Sequence, residues 1–439
     1  MRNCHVQFCE RFEQWFLGCT RLFYSKQTFV DFFKTEDQFT EWQVIRWTFL
    51  IYNNLLACSI FKLTQLGKRL IMNNITLVGF LLMQAALFGH SSAIIAADLN
   101  RQQLVEESTQ WNGEKFQNSE VVPSVEWGAS LKMFWNYFTN KPEGFIPDPP
   151  LPSEPFDISL WNDQRDFQFA WLGHTTFLIK IDDKVILTDP MFSQKAGSFG
   201  WVSPKRYSKT LASTDTLPML DVVLITHNHP DHLDEQSIKA LIPKTKHFIT
   251  PLVVGELLEE WGVSHKKIFE LDWWQTKSID GLTITAAPAK HTSERGVFDK
   301  NLTLWASYGI RGKQQNIYLS GDSGWFKGLH EIGERLGPFD VTFFEIGAYS
   351  NLKGQMEIHY TPEQAVKAHQ AVRGKLIVPS GWGTFDLGLF PWHEPIERFL
   401  IAANQAGIDY VTPKIGEVII PGKEDGLGAW WKRFIKKTQ

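Results

Sequence analysis

At 439 residues with a formal net charge of −4, the chain exceeds one ordinary domain and offers no global attraction for a polyanion, so nucleic acid is not an expected partner. Its 18 tryptophans and 33 phenylalanines supply enough apolar side chain for a sizeable core. The cysteines, Cys4, Cys9, Cys19 and Cys58, all lie near the start, which leaves neither a disulfide framework nor a thiolate ligand for anything downstream.

Residues 1–71 are aromatic-rich without clean periodicity and form an N-terminal extension to which no role is assigned; Met72 is an alternative start. From Leu70 to Ala97 no residue is charged, and Ile75 to Phe88 is a compact apolar block preceded by Lys68 and Arg69. Residues 72–97 therefore read as a signal or anchor segment, with Ala93, Ala96 and Ala97 as small residues for cleavage. Export or membrane association is expected if it acts that way. A cytoplasmic protein with one more buried helix is the alternative.

Residues 98–155 read as a linker and covering segment, polar at first and closing on the extended run Pro147 to Pro155. The compact domain is expected over 156–422, followed by a basic aromatic tail over 423–439. Phe167 to Ile181 and Lys184 to Pro190 read as an antiparallel hairpin across Asp182-Asp183, with Asp189 at the strand end. Next, Val222 to Ile225 is a short apolar run of buried parallel-strand type, ended by Thr226.

That run delivers His227, His229, Asp231 and His232. Imidazole nitrogen and carboxylate oxygen are ligands that Zn²⁺ accepts, and such a density within six residues points to metal. His227 and His229 lie two apart and can face one side, whereas Asp231 and His232 are adjacent and diverge. One tetrahedral ion does not accommodate all of them, so two adjacent sites are expected.

Downstream, Asp234 to Leu241 reads as a short helix, and Lys246 to Thr250, Ile268 to Leu271, Leu282 to Ala287, Asn316 to Asp322 and Phe339 to Ile346 read as strands. Thr361-Pro-Glu-Gln364 carries helix-start chemistry for a helix running through a structural His369. Leu376 to Val378 is the last central strand, and Pro395 to Ala406 is an amphipathic helix stopped by Gly407. Candidate site residues lie just beyond the ends of apolar strands. This placement suits an α/β layered sandwich with its loops gathered on one edge.

The His-x-His-x-Asp-His string after a strand resembles the metallo-β-lactamase fold of hydrolases, a four-layer αββα sandwich. Within it, Trp171-Leu-Gly-His174, Asp189-Pro190, Asn301 to Trp305, Gly321-Asp322, Ile346-Gly-Ala-Tyr349, His359 and Trp382-Gly-Thr-Phe385 resemble the group containing N-acylphosphatidylethanolamine-hydrolysing phospholipase D. The resemblance implies that His291 joins His227 and His229 at one metal, that Asp322 bridges to a second held by Asp231 and His232, and that Asp189 supports the site through hydrogen bonds. In the group a histidine precedes Trp-Gly-Thr-Phe; here that position is Gly381. The second ion is therefore expected to bind more weakly than the first, with His393 as the nearest substitute ligand.

The implied activity is zinc-dependent hydrolysis, most directly of an N-acylphosphatidylethanolamine-like phosphodiester. Asp231 and Asp322 would act at the attacking water, and His359 at a leaving or phosphoryl oxygen. A membrane surface is a possible partner, since the Trp430 to Lys437 tail mixes aromatic and basic residues. Phe192, Trp201, Trp273, Trp325 and Phe326 are candidates to receive acyl chains. A lactonase or carboxylic-ester hydrolase acting on a small soluble substrate, and a membrane-tethered binding protein without catalysis, are the competing readings.

Overall fold

The computed structural model describes residues 101–123, 144–162, 167–197, 203–208, 213–296, 298–350, 357–423 and 428–435, together with Trp135 and Thr139. The extension over 1–71, the apolar segment over 72–97 and Trp201 lie outside these. Among the described residues no helix is long and apolar enough to cross a membrane.

Strands β1 (Phe167–Trp171), β2 (Phe177–Ile181), β3 (Lys184–Thr188) and β4 (Leu220–Leu224) lead into helix α1 (Glu235–Leu241). Strand β5 (Thr245–Pro251), helix α2 (Val254–Glu260) and strand β6 (Ile268–Leu271) follow. The chain continues with β7 (Thr276–Ile279), β8 (Leu282–Ala287), β9 (Ser307–Arg311), β10 (Asn316–Leu319), helix α3 (Gly328–Arg335) and β11 (Phe339–Glu345). Helix α4 (Pro362–Ala371), β12 (Gly374–Ser380), helix α5 (Glu394–Ala406), β13 (Asp409–Tyr410) and β14 (Val418–Ile419) complete it. The strands form two seven-stranded sheets, ordered β14-β1-β2-β3-β4-β5-β6 and β13-β12-β11-β10-β9-β8-β7.

Each sheet is antiparallel at one end and parallel at the other: β3 to β6 run parallel in the first, β10 to β13 in the second. Alternation along the strands sorts the layers. Phe169, Ile179, Ile186, Val222 and Leu224 meet the second sheet in one core, while Ala170, Leu178, Leu187, Val223 and Ile225 face Ile238 and Leu241 of α1 and Val254 and Leu258 of α2. On the far side, Ile332 of α3, Val366 of α4 and Phe399 of α5 join the larger core from outside the second sheet. The result is the expected αββα sandwich. Phe343 clamps the two sheets, edge-on to Phe169 at 5.2 Å and tilted on Phe177 at 4.4 Å; truncating it to alanine removes about 3–5 kcal/mol.

Local signals place the ends that matter. Asp234 caps α1 through the Ser237 amide, and Thr361 with Gln364 forms a reciprocal capping box that starts α4 two residues after His359. His369 bonds Thr342 Oγ1 from inside the fold, as its structural reading expected.

Three sequence expectations need correcting. The stretch Phe167 to Ile181 is not one arm of a hairpin: it breaks into β1 and β2 because Gly173 and His174 adopt positive φ (102° and 50°), making a tight turn closed by the Leu172 amide on the Thr176 carbonyl at 2.8 Å. The aromatic tail is also committed inward. Trp431 is fully buried, Trp430 and Trp431 both pack on Trp382, and their indoles donate to the Thr412 carbonyl and the Glu397 carboxylate. Trp273 and Phe326 are core residues rather than acyl-chain contacts.

Candidate metal centre

The C-terminal ends of the parallel strands open onto a common edge, where loops in such sheets gather their chemistry. Asp189 follows β3, the His227 to His232 loop follows β4, Asp322 follows β10, and Glu345 ends β11. His227, His229, Asp231, His232, His291, Asp322 and His359, all singled out from sequence, come together here.

His227, His229 and His291 form one group: His227 Nε2 and His291 Nε2 approach His229 Nδ1 at 2.9 and 3.2 Å. Their second nitrogens explain the aim. Thr226 Oγ1 donates to Asp189 Oδ2 at 2.7 Å and so accepts from His227 Nδ1 at 2.9 Å, while His291 Nδ1 donates to the Ile358 carbonyl at 2.9 Å. Both rings thus turn an Nε2 lone pair inward. Burial, then the neighbouring imidazoles, holds His227 and His291 well below the usual histidine range, and burial takes His229 down to about 4. Neutral imidazole is the ligand form.

The second group has the opposite electrostatic character. His232 Nε2 lies 3.2 Å from Asp322 Oδ2 and 3.6 Å from Asp231 Oδ2, and His232 Nδ1 donates to Asp189 Oδ2 at 2.9 Å. Burial works against charge on His232, but Asp322 and Asp231 outweigh it and raise its affinity for a proton. Burial equally opposes ionisation of the two carboxylates, yet the surrounding imidazoles, His232 foremost, hold both well below the carboxylate range. A buried site that attracts positive charge this strongly, with oxygen and nitrogen donors converging, fits a divalent cation. Asp322 belongs to both sides, grouping with His227 and His232 and again with His291 and His359.

His359 faces two carboxylates. Its Nδ1 is 3.1 Å from Glu345 Oε1 and 3.7 Å from Asp322 Oδ2, and although burial opposes it, the Glu345 carboxylate raises its pKa. Burial raises the Glu345 pKa as well, so the pair retains a proton. Glu345 escaped the sequence analysis, although it has the signal used for Asp322, an acid closing an apolar strand. Asn118 escaped too: from the stretch read as linker, its amide bonds both the backbone N–H and the carbonyl of His291, at 3.0 and 2.7 Å.

Where Gly381 brings no imidazole, the structure places a different histidine from the one expected. His393 stands at the start of α5 with its ring edge-on to Trp392, and it joins none of the groups found among the described residues. His174 does: its Nε2 lies 3.1 Å from Asp231 Oδ2 and 3.3 Å from His232 Nε2. Gly381 itself has φ 73°, and a Cβ there would stand 3.2 Å from the Glu345 Cβ, so a histidine at 381 would be strained.

Known proteins share long stretches with this chain. Residues 184–382 match the model of the β-lactamase superfamily domain. A Mycobacterium tuberculosis protein of unassigned function is 38% identical over 289 residues, covering 64% of this chain and 77% of its own length. N-acyl-phosphatidylethanolamine-hydrolyzing phospholipase D 1 of Caenorhabditis elegans is 31% identical over 290 residues, covering 62% of this chain and 80% of that protein. A solved metallo-hydrolase from the archaeon Ignicoccus hospitalis aligns with 58% of this chain and 97% of its own, at 21% identity and a TM-score of 0.44.

Proposed function

The chain belongs to the β-lactamase superfamily and is a metal-dependent hydrolase, and from that premise we propose that it is a zinc-dependent phosphodiesterase acting on N-acylphosphatidylethanolamine-like lipids. The observation that carries the substrate class is the 31% identity to the nematode phospholipase D over 80% of its length.

His227, His229, His291 and Asp322 would hold one ion, and Asp231, His232 and Asp322 the second. When bound, a divalent ion polarises a phosphoryl oxygen and lowers the pKa of water from about 15.7 to roughly 7. Asp231, whose side chain is 19% exposed beside otherwise enclosed partners, orients the attacking water and takes its proton. The water oxygen bonds to phosphorus as the bond from phosphorus to the N-acylethanolamine oxygen breaks. His359, holding its proton against Glu345, returns one to that leaving oxygen.

The test is an assay of the purified protein on N-acylphosphatidylethanolamine in mixed micelles, on a generic phosphodiester and on a lactone panel, each with chelator and after zinc reloading. Chelator-sensitive release of N-acylethanolamine is the expected result. Turnover confined to lactones would overturn the substrate class while leaving the hydrolase intact.

A further inference from the structure

We propose that His174 is a ligand of the second metal ion, completing a set with Asp231, His232 and Asp322. The inference rests on the two-ion reading above and adds a residue that the sequence analysis left among strand residues.

Geometry carries it. His174 Nε2, Asp231 Oδ2 and His232 Nε2 form a triangle with sides of 3.1, 3.3 and 3.6 Å. Donors bonded to one tetrahedral ion at 2.0–2.2 Å stand about 3.3 Å apart, so the triangle has the dimensions of one coordination face. His232 is oriented by Asp189 at its Nδ1, which leaves the Nε2 lone pair pointing into that face. The His174 ring is buried, with Phe385 edge-on at 5.5 Å, and its Nδ1 has no hydrogen-bond partner. Every polar contact of that side chain is therefore made by Nε2, with Asp231 and His232.

The backbone is built to hold the ring there. His174 sits at φ 50°, a left-handed conformation unusual for a residue with a side chain. Its carbonyl accepts the Gly381 amide at 3.0 Å and the Trp171 indole at 2.8 Å, and its own amide donates to Thr384 Oγ1 at 2.8 Å. Thus the Gly381 to Thr384 segment, which brings no imidazole of its own, fixes the one supplied from the β1–β2 turn.

The experiment is metal titration against a competing chelator of the wild-type protein, His174→Ala, His174→Gln and, as a control for the other site, His291→Ala, with circular dichroism to establish folding. Two equivalents in wild type, with the second weakened about a hundredfold or more in both His174 variants and the first unchanged, is the expected result. Two equivalents of unaltered affinity in folded His174 variants would overturn the proposal, as would a single equivalent in wild type. Wild-type protein that binds no metal would overturn the two-ion reading itself. Should both variants fail to fold, a metal-edge anomalous difference map of wild-type crystals decides: a peak at bonding distance from His174 Nε2 supports the assignment, and a second ion bound without it refutes it.

Discussion

Asp189 and His232 are joined by a 2.9 Å hydrogen bond from imidazole Nδ1 to carboxylate Oδ2, buried at the ends of two adjacent parallel strands. The other carboxylate oxygen accepts the Thr226 amide at 2.8 Å, so Asp189 orients His232 directly and His227 through the Thr226 hydroxyl. Asp189→Asn should leave the fold intact and weaken metal binding by about 10–100-fold, because an amide cannot enforce the Nδ1-protonated tautomer of both rings. Chelator competition on wild type and variant measures this.

Asp322→Ala should be the most damaging single change to hydrolysis. Its carboxylate reaches His232 at 3.2 Å, His359 at 3.7 Å and His291 at 3.9 Å, so its loss strips charge from both halves of the site. A fall in kcat/KM of at least about a thousandfold, or ~4 kcal/mol of barrier, is expected from steady-state kinetics.

Glu345→Gln should move a limb of the pH–rate profile. The carboxylate raises the His359 pKa, so removing it lets His359 lose its proton at lower pH. With His359 as general acid, activity should decline earlier on the alkaline side. His359→Ala should cost about 10²–10⁴ in kcat with metal content retained, checked by kinetics and elemental analysis together.

Acid sensitivity should have a contribution remote from the site. Burial lowers the His369 pKa to about 4, whereas an unfolded histidine titrates near 6.5. The unfolded chain therefore binds the extra proton first. Stability is full above about pH 6.5, falls as pH drops towards about 4 and levels off below it, by ~3 kcal/mol in order of magnitude. His369→Gln should flatten that part of a denaturation-midpoint-against-pH curve, whatever it does to the baseline.

The strands and their acidic or histidine endings were legible because burial on both faces leaves apolar runs that stop abruptly, as at Val222 to Ile225 before His227. The αββα layering and the convergence of seven site residues followed from that pattern and from the resemblance it carried. His174 was not legible: the turn that presents it lies between two apolar strands, and its partners are more than 50 positions away. Gly173 was the available cue. Glu345 was missed only because its strand was read on to Ile346, past the acid that ends it. The tail misled because tryptophans beside lysines fit an interface equally well, and only the fold supplies Trp382 as their partner.

Those tryptophans bear on when the site can mature during synthesis. Trp431 packs on Trp382, Trp382 stacks on Trp171 at 5.6 Å, and the Trp171 indole grips the carbonyl of His174. A nascent chain exposed as far as Pro421 already carries every histidine and carboxylate of the centre, yet lacks the indole that backs this relay. The turn bearing His174 lies between the first strands of the domain, and its buttress stands far downstream in the chain. A chain truncated before Trp430 is therefore expected to hold every donor and yet present His174 less firmly.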